Sequence, residues 1–294
     1  MNRREFVAAS VAFCAELAGC SPPRPNHPVI GAKNFTEQVV LGELLAQEIE
    51  AKAHLPVERR FYLAGSYICS QALVAGRIDA YVEYTGTALT AILKQPLDRD
   101  PERVLETVRR LYQQKDQVTV EPPLGFQNTF AMVIRGDEAR RLHLTTLSQA
   151  AKVTPAWHLG VGYEFEQRPD GLPGLEKAYG LKFAGSPRVM DLGLLYRALN
   201  ERQVDMIAAN STDGQIPEFG LTVLEDDRHY FPPYQAVPLV RDAAFRRWPE
   251  VGVAAQSLSG KVDADAMRAM NEAVDAQHRD PADVVRQFRA SHGL

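Results

Sequence analysis

Residues able to carry chemistry are spread thinly along this chain. The seven histidines are scattered, and the three cysteines fall at positions 14, 20 and 69. No HExxH pair, G-x-S-x-G elbow, phosphate-cradling glycine loop or Cys/His metal spacing occurs. His158 and His229 read as structural or surface residues. Ser211 and Asp213 could serve a hydrolase, but no base partner accompanies them. Glu37 and Glu83 read as capping or surface groups rather than as a general acid and base. No enzyme activity, cofactor or metal site is therefore expected.

What stands out instead is a pair of positions related by a faint internal repeat. Ala72-Leu73-Val74-Ala75-Gly76-Arg77-Ile78-Asp79 is echoed by Ala198-Leu199-Asn200-Glu201-Arg202-Gln203-Val204-Asp205. Each copy gives a helix, a tight turn and a strand that opens at an aspartate. Five residues past each aspartate stand Tyr84 and Asn210, followed by Thr85-Gly86 and by Ser211-Thr212-Asp213-Gly214. In open α/β sheets, ligands bind at the carboxyl ends of strands. Two lobes facing each other would thus put Tyr84 and Asn210 on opposite walls of one cleft.

The elements that must position these residues alternate between short apolar strands and helical patterns, which predicts an α/β architecture. Strands are expected at 29–31, 57–63, 78–82, 129–135, 158–162, 181–184 and 204–209. Helices are expected over about 67–75, 86–93, 101–115, 174–179 and 191–200, with a helical tail from Asp263 interrupted at Pro281. Asn34 and Glu37 have the spacing of a capping box that opens a further helix, in which Val40, Leu44, Leu45 and Ile49 share a face. Two proline pairs, Pro122-Pro123 and Pro232-Pro233, bracket a middle segment of about a hundred residues.

The chain has 294 residues, 45% hydrophobic and 24% charged, with a net charge of −4 and no Lys/Arg-rich run. Nucleic acid is not an expected partner. Arg3-Arg4 followed by an apolar stretch from Val7 to Leu17 reads as an export signal, far too short to span a membrane. It ends at Leu17-Ala18-Gly19-Cys20, which resembles a bacterial lipobox, so Cys20 is expected to carry lipid; Asn2-Arg3-Arg4-Glu5-Phe6 also resembles a twin-arginine signal. Residues 1–20 would then be a lipoprotein signal peptide and 21–27 a proline-rich tether. Cys69 would be left alone, as a small core residue.

Several motifs, in colinear order over nearly all of the mature chain, carry a family likeness. Ile30-Gly31-Ala32-Lys33-Asn34-Phe35-Thr36-Glu37-Gln38 resembles the opening strand and helix of the substrate-binding proteins of quaternary-ammonium ABC importers. These bind glycine betaine, choline and carnitine. Similar matches are Ile78-Asp79-Ala80-Tyr81-Val82-Glu83-Tyr84-Thr85-Gly86-Thr87-Ala88-Leu89, Gly125-Phe126-Gln127-Asn128-Thr129-Phe130-Ala131, Phe165-Glu166-Gln167-Arg168-Pro169-Asp170-Gly171, Ser211-Thr212-Asp213-Gly214 and Phe231-Pro232-Pro233-Tyr234. The resemblance implies a two-lobed, type II periplasmic-binding-protein fold with its ligand cleft between the lobes. Lobe 1 would be discontinuous, residues 28–121 and 227–294, and lobe 2 would be 122–226. It also implies an extracytoplasmic, membrane-anchored monomer that hands a betaine-type ligand to ABC permease and ATPase subunits.

A trimethylammonium group has no N–H to donate, so it is held by aromatic faces rather than by hydrogen-bond acceptors. By resemblance the cage positions are Tyr84, Phe130, Asn210 and Tyr234; Asn210 replaces an aromatic wall with an amide. Tyr67, beside the small-residue loop Gly65-Ser66, could supply a substitute ring. The resemblance assigns the ligand's anionic end to Lys33, Thr87 and Arg168, and Arg168 is expected at the far end of the pocket from the rings. Two cations there favour a zwitterionic betaine over choline. Ergothioneine, carnitine, choline or another polar solute, and a receptor-docking sensor, remain open as alternatives.

Overall fold

The computed structural model describes residues 25–294, so the expected export signal, Cys14, the expected lipidation site Cys20 and residues 21–24 of the expected tether lie outside it. Two five-stranded sheets organise the described residues. The first has the order β2-β1-β3-β10-β4, from β1 (Val29–Gly31), β2 (Glu58–Arg60), β3 (Ala80–Tyr84), β4 (Val118–Val120) and β10 (Ala236–Arg241). The second has the order β7-β6-β8-β5-β9, from β5 (Phe130–Arg135), β6 (Leu159–Val161), β7 (Arg188–Val189), β8 (Met206–Asn210) and β9 (Leu221–Leu224). The chain crosses between the sheets twice, once past each Pro-Pro pair. The two crossing segments meet in an antiparallel bridge between Gln127 and Gln235.

The sheets repeat one plan. In each, the central strand has a parallel neighbour on one side and an antiparallel one on the other: β1 and β10 flank β3, and β6 and β5 flank β8. The turn before each central strand is bonded alike. The Arg77 and Gln203 amides donate to the carbonyls of Ala72 and Ala198. Asp79 then accepts from the Val29 amide and Asp205 from the His158 amide, at 3.0 and 2.9 Å. Each aspartate also pairs with an arginine that ends the antiparallel neighbour, Arg241 at 3.3 Å and Arg135 at 3.1 Å. The internal echo in the sequence is thus a structural repeat. It leaves Tyr84 and Asn210 as the last residues of their strands.

Three expectations from the sequence are corrected. Residues 181–184 form no strand; they lie between Gly180 and Gly185, both at positive φ, and the edge strand forms instead at Arg188–Val189. The helix Thr36–Ala53 has Phe35 at its N-cap with no side-chain cap, so Asn34 and Glu37 form no capping box. That helix is also buried all round from Glu37 to Ile49, not on one face, because helices Glu250–Ser257, Ala264–Asp275 and Pro281–His292 pack over its outer side. Cys69 is a core residue as expected, fully buried, with its thiol pushed up to about 12 by burial. No helix among the described residues is long and apolar enough to cross a membrane.

Candidate functional site

Between the sheets lies a cavity lined by residues from both. Lys33, Tyr84, Thr87, Phe130, Arg168, Asn210 and Tyr234 all line it. Tyr84 arrives at the end of a strand buried throughout, and Thr87 follows in the short helix Thr85–Thr87. Phe130 opens β5 and pairs across the ladder with Asn210 at the end of β8. Tyr234 lies in the second crossing segment, just before β10. Strand ends and crossing segments thus supply the walls.

Three of the lining rings form one cluster. Phe130 stands edge-on to Phe165 at 4.8 Å and to Tyr234 at 5.7 Å between centroids. Each phenol is fixed by a buried carboxylate. Tyr84 donates to Glu37 at 2.5 Å, and Tyr234 donates to Asp170 at 2.7 Å. Burial pushes both phenol pKa values well up, so both hydroxyls are donors near neutral pH. The rings are held with their polar ends already satisfied, leaving apolar and π surface for a ligand.

Glu37 and Glu83 are neither capping nor surface groups; both are fully buried. Glu37 accepts from Tyr84, from Asn128 at 2.9 Å, from Asn271 at 3.0 Å and from the Thr212 hydroxyl. Burial raises its pKa even against those bonds. Glu83 takes the ammonium of Lys33, the Tyr81 phenol at 3.1 Å and the Tyr84 amide at 2.8 Å.

The two cations expected to hold a ligand carboxylate are both already paired. Lys33 pairs with Glu83 and stands 4.8 Å from the Tyr84 ring centroid. Arg168 grips Asp170 bidentately, through Nε at 3.0 Å and Nη2 at 2.5 Å. Burial opposes the Arg168 charge, but Asp170 holds the guanidinium protonated, and Arg168 in turn keeps the buried Asp170 carboxyl below its ordinary range. The guanidinium also lies 4.9 Å from the Phe130 ring centroid. Arg168 therefore sits against the rings, not at the far end of the pocket. Its acid partner stands two residues on, inside the Phe165–Gly171 motif, where the sequence could have shown it.

Asn210 turns its side-chain amide toward Asp213, at 3.2 Å, and its backbone N–H to the same carboxylate at 3.0 Å. Tyr67 does not line the cavity. The helix Ser66–Val74 buries Ser66, Cys69, Ser70 and Leu73, which turns Tyr67 outward at 60% exposure. Sequence reasoning missed Phe165, Tyr163, Glu164, Asn128 and Asp191, all of which line the cavity. The Ser211 hydroxyl accepts from the Thr129 amide and donates to Asn128, and among the described residues no histidine bonds to it. Nor, among the described residues, is any group of His, Cys, Asp and Glu arranged to hold a metal ion.

Comparison with known proteins places this geometry in context. Residues 28–291 match the family described as the substrate binding domain of ABC-type glycine betaine transport system. A carnitine transport binding protein of Listeria monocytogenes serotype 1/2a (strain 10403S) is 33% identical over 261 residues, covering 88% of this chain and 84% of the relative. The ergothioneine transport permease/ergothioneine binding protein of Helicobacter pylori (strain G27) is 32% identical over 267 residues, or 90% of this chain. This chain spans only 48%, about half, of that relative's length. A solved glycine betaine/carnitine/choline ABC transporter structure superposes with a TM-score of 0.75 at 32% identity, covering 90% of this chain and 98% of that one.

Proposed function

Since the chain belongs to the family of substrate-binding domains of ABC-type glycine betaine transport systems, we propose that its cavity captures a quaternary-ammonium compound and delivers it to a permease driven by an ATPase. Binding proteins of such importers work outside the cytoplasm. Here residues 28–121 and 227–294 act as one lobe and 122–226 as the other. The crossings beside Pro122-Pro123 and Pro232-Pro233 form the hinge, and lipid on Cys20 tethers a monomer to the membrane.

The observation that carries the reading is the convergence of Tyr84, Phe130, Tyr234 and Phe165 on one cavity. A methylated ammonium gains from such walls twice: its methyl groups bury apolar area, and its charge meets the negative face of each ring, worth about 2 kcal/mol per desolvated contact. The work is binding and release, with no bond made or broken.

Isothermal titration against glycine betaine, carnitine, choline and ergothioneine tests this. Binding of at least one with micromolar-class affinity is expected. If none binds while an amino acid or a polyol does, the aromatic walls serve another solute and the proposal fails.

A further inference from the structure

We infer that Glu164 sets the preference of this cavity, selecting a net-cationic quaternary ammonium that ends in a hydroxyl over one that ends in a carboxylate. The inference rests on the quaternary-ammonium reading above and narrows it.

The argument begins with the cations. Among the described residues, Lys33 and Arg168 are the basic ones that line the cavity. Lys33 is committed to Glu83, and Arg168 commits Nε and Nη2 to Asp170. The remaining guanidinium nitrogen, Nη1, faces Glu164 at 3.9 Å. A ligand carboxylate entering here would compete with a protein carboxylate at every positive group.

Glu164 is held more loosely, because the approach of Arg168 Nη1 at 3.9 Å lies beyond hydrogen-bond distance. It comes from the helix Tyr163–Gln167 beside the second sheet and reaches across to Ser66, at the start of a helix beside the first. It accepts the Ser66 amide at 2.6 Å and the Ser66 hydroxyl at 3.3 Å. Neither of these two hydrogen-bond donors carries charge. A Cβ at Gly65 would collide with Glu164 Oε1, so glycine at that position is what allows the approach.

With both cations paired, the carboxylates of Glu164 and Asp191 are left to set the sign of the cavity. Asp191 is largely solvated and caps the helix Leu192–Asn200, accepting the Gly193 amide at 3.0 Å. Glu164 is the more enclosed of the two, its side chain 30% exposed. A carboxylate oxygen accepts two hydrogen bonds, and each oxygen of Glu164 is engaged by one donor from Ser66. A ligand hydroxyl can fill the spare position with a charge-assisted bond, whereas a ligand carboxylate brings like charge and no proton. The preference therefore runs opposite to the one expected when Lys33 and Arg168 were taken as free.

The test is titration of the wild-type protein and of Glu164→Gln with choline, glycine betaine and carnitine, with melting temperatures to confirm folding. The amide oxygen of Gln can still accept the Ser66 amide, so the variant removes charge with little change of shape. Wild type should bind choline at least about tenfold tighter than either carboxylate ligand, roughly the difference between a charge-assisted and a neutral hydrogen bond. In Glu164→Gln that ratio should fall toward one or invert, which a purely structural role would not produce. Glycine betaine or carnitine bound as tightly as choline by wild type, or an unchanged ratio in the variant, overturns the inference and leaves the quaternary-ammonium reading standing. If none of the three binds, the inference falls; if ergothioneine fails to bind as well, the quaternary-ammonium reading falls with it.

Discussion

The phenol of Tyr84 and the carboxylate of Glu37 are joined by a 2.5 Å hydrogen bond in the buried interior, and that bond ties a cavity wall to both sheets. On its other oxygen Glu37 accepts from Thr212, two residues past β8, and from Asn271, whose amide also reaches the Thr212 carbonyl at 2.9 Å. The Tyr84 ring, the amides of Asn128 and Asn271 and the loop after β8 thus share one carboxylate.

Replacing Glu37 by Gln should therefore cost both stability and affinity. All four partners donate, and an amide nitrogen in place of one oxygen would face donors with nothing to offer them. A lost hydrogen bond to a charged acceptor costs about 1.5–3 kcal/mol. Urea unfolding should show a loss in that range, and titration should show weaker ligand binding because Tyr84 is no longer fixed. Unchanged stability with unchanged affinity would mean that the network carries no free energy.

The cage makes a sharper claim about Phe130. Phe130→Leu keeps apolar volume beside Phe165 and Tyr234 but removes the π face. Affinity for choline should fall about 30-fold, the equivalent of about 2 kcal/mol. Affinity for its neutral carbon isostere, 3,3-dimethylbutan-1-ol, should change much less. Equal losses for both ligands would show that Phe130 contributes area alone.

Much of this was legible before the coordinates. Colinear motifs placed the seven candidate lining residues, and the repeat at Asp79 and Asp205 placed two of them independently, because strand ends in both sheets obey the same local bonding. What could not be read was pairing. Glu83 lies 50 residues from Lys33 in sequence and Glu37 lies 175 from Thr212. Helical periodicity says nothing about a carboxylate that turns inward to meet a partner from another element. Tyr67 shows the same limit at short range. Proximity to Gly65-Ser66 suggested the cavity, but the buried set Ser66, Cys69, Ser70 and Leu73 fixed the rotation of its helix.

Lys33 offers a direct test of pairing against ligand contact. Glu83 is fully buried, so Lys33→Ala would strand its charge. Removing one partner of a buried ion pair costs about 3–5 kcal/mol. The urea midpoint should drop accordingly, and Glu83→Gln added to Lys33→Ala should recover part of the loss. A stable Lys33→Ala that merely fails to bind carboxylate ligands would return Lys33 to the role of a ligand group.

Acidity gives the last prediction, through Asp213. Burial raises its carboxyl pKa to about 7, against the pull of the Tyr196 phenol and the Asn210 amide, and the neighbouring carboxylates of Glu37 and Asp275 push it further up. A folded-state pKa above the unfolded value means that the folded protein binds the proton more tightly. The stabilisation is complete below the unfolded value of about 4 and disappears as pH rises through about 7. Glu37 and Asp275 are raised as well and act in the same direction. The paired Asp170, whose pKa is lowered, stays ionised across this window and does not offset them. The melting temperature should therefore be higher at pH 5 than at pH 8. Asp213→Asn should remove a large part of that difference, since its amide no longer titrates while its oxygen can still accept from Tyr196 and Asn210. A melting temperature that falls between pH 8 and pH 5, or a variant with the same pH dependence as wild type, would place the controlling proton elsewhere.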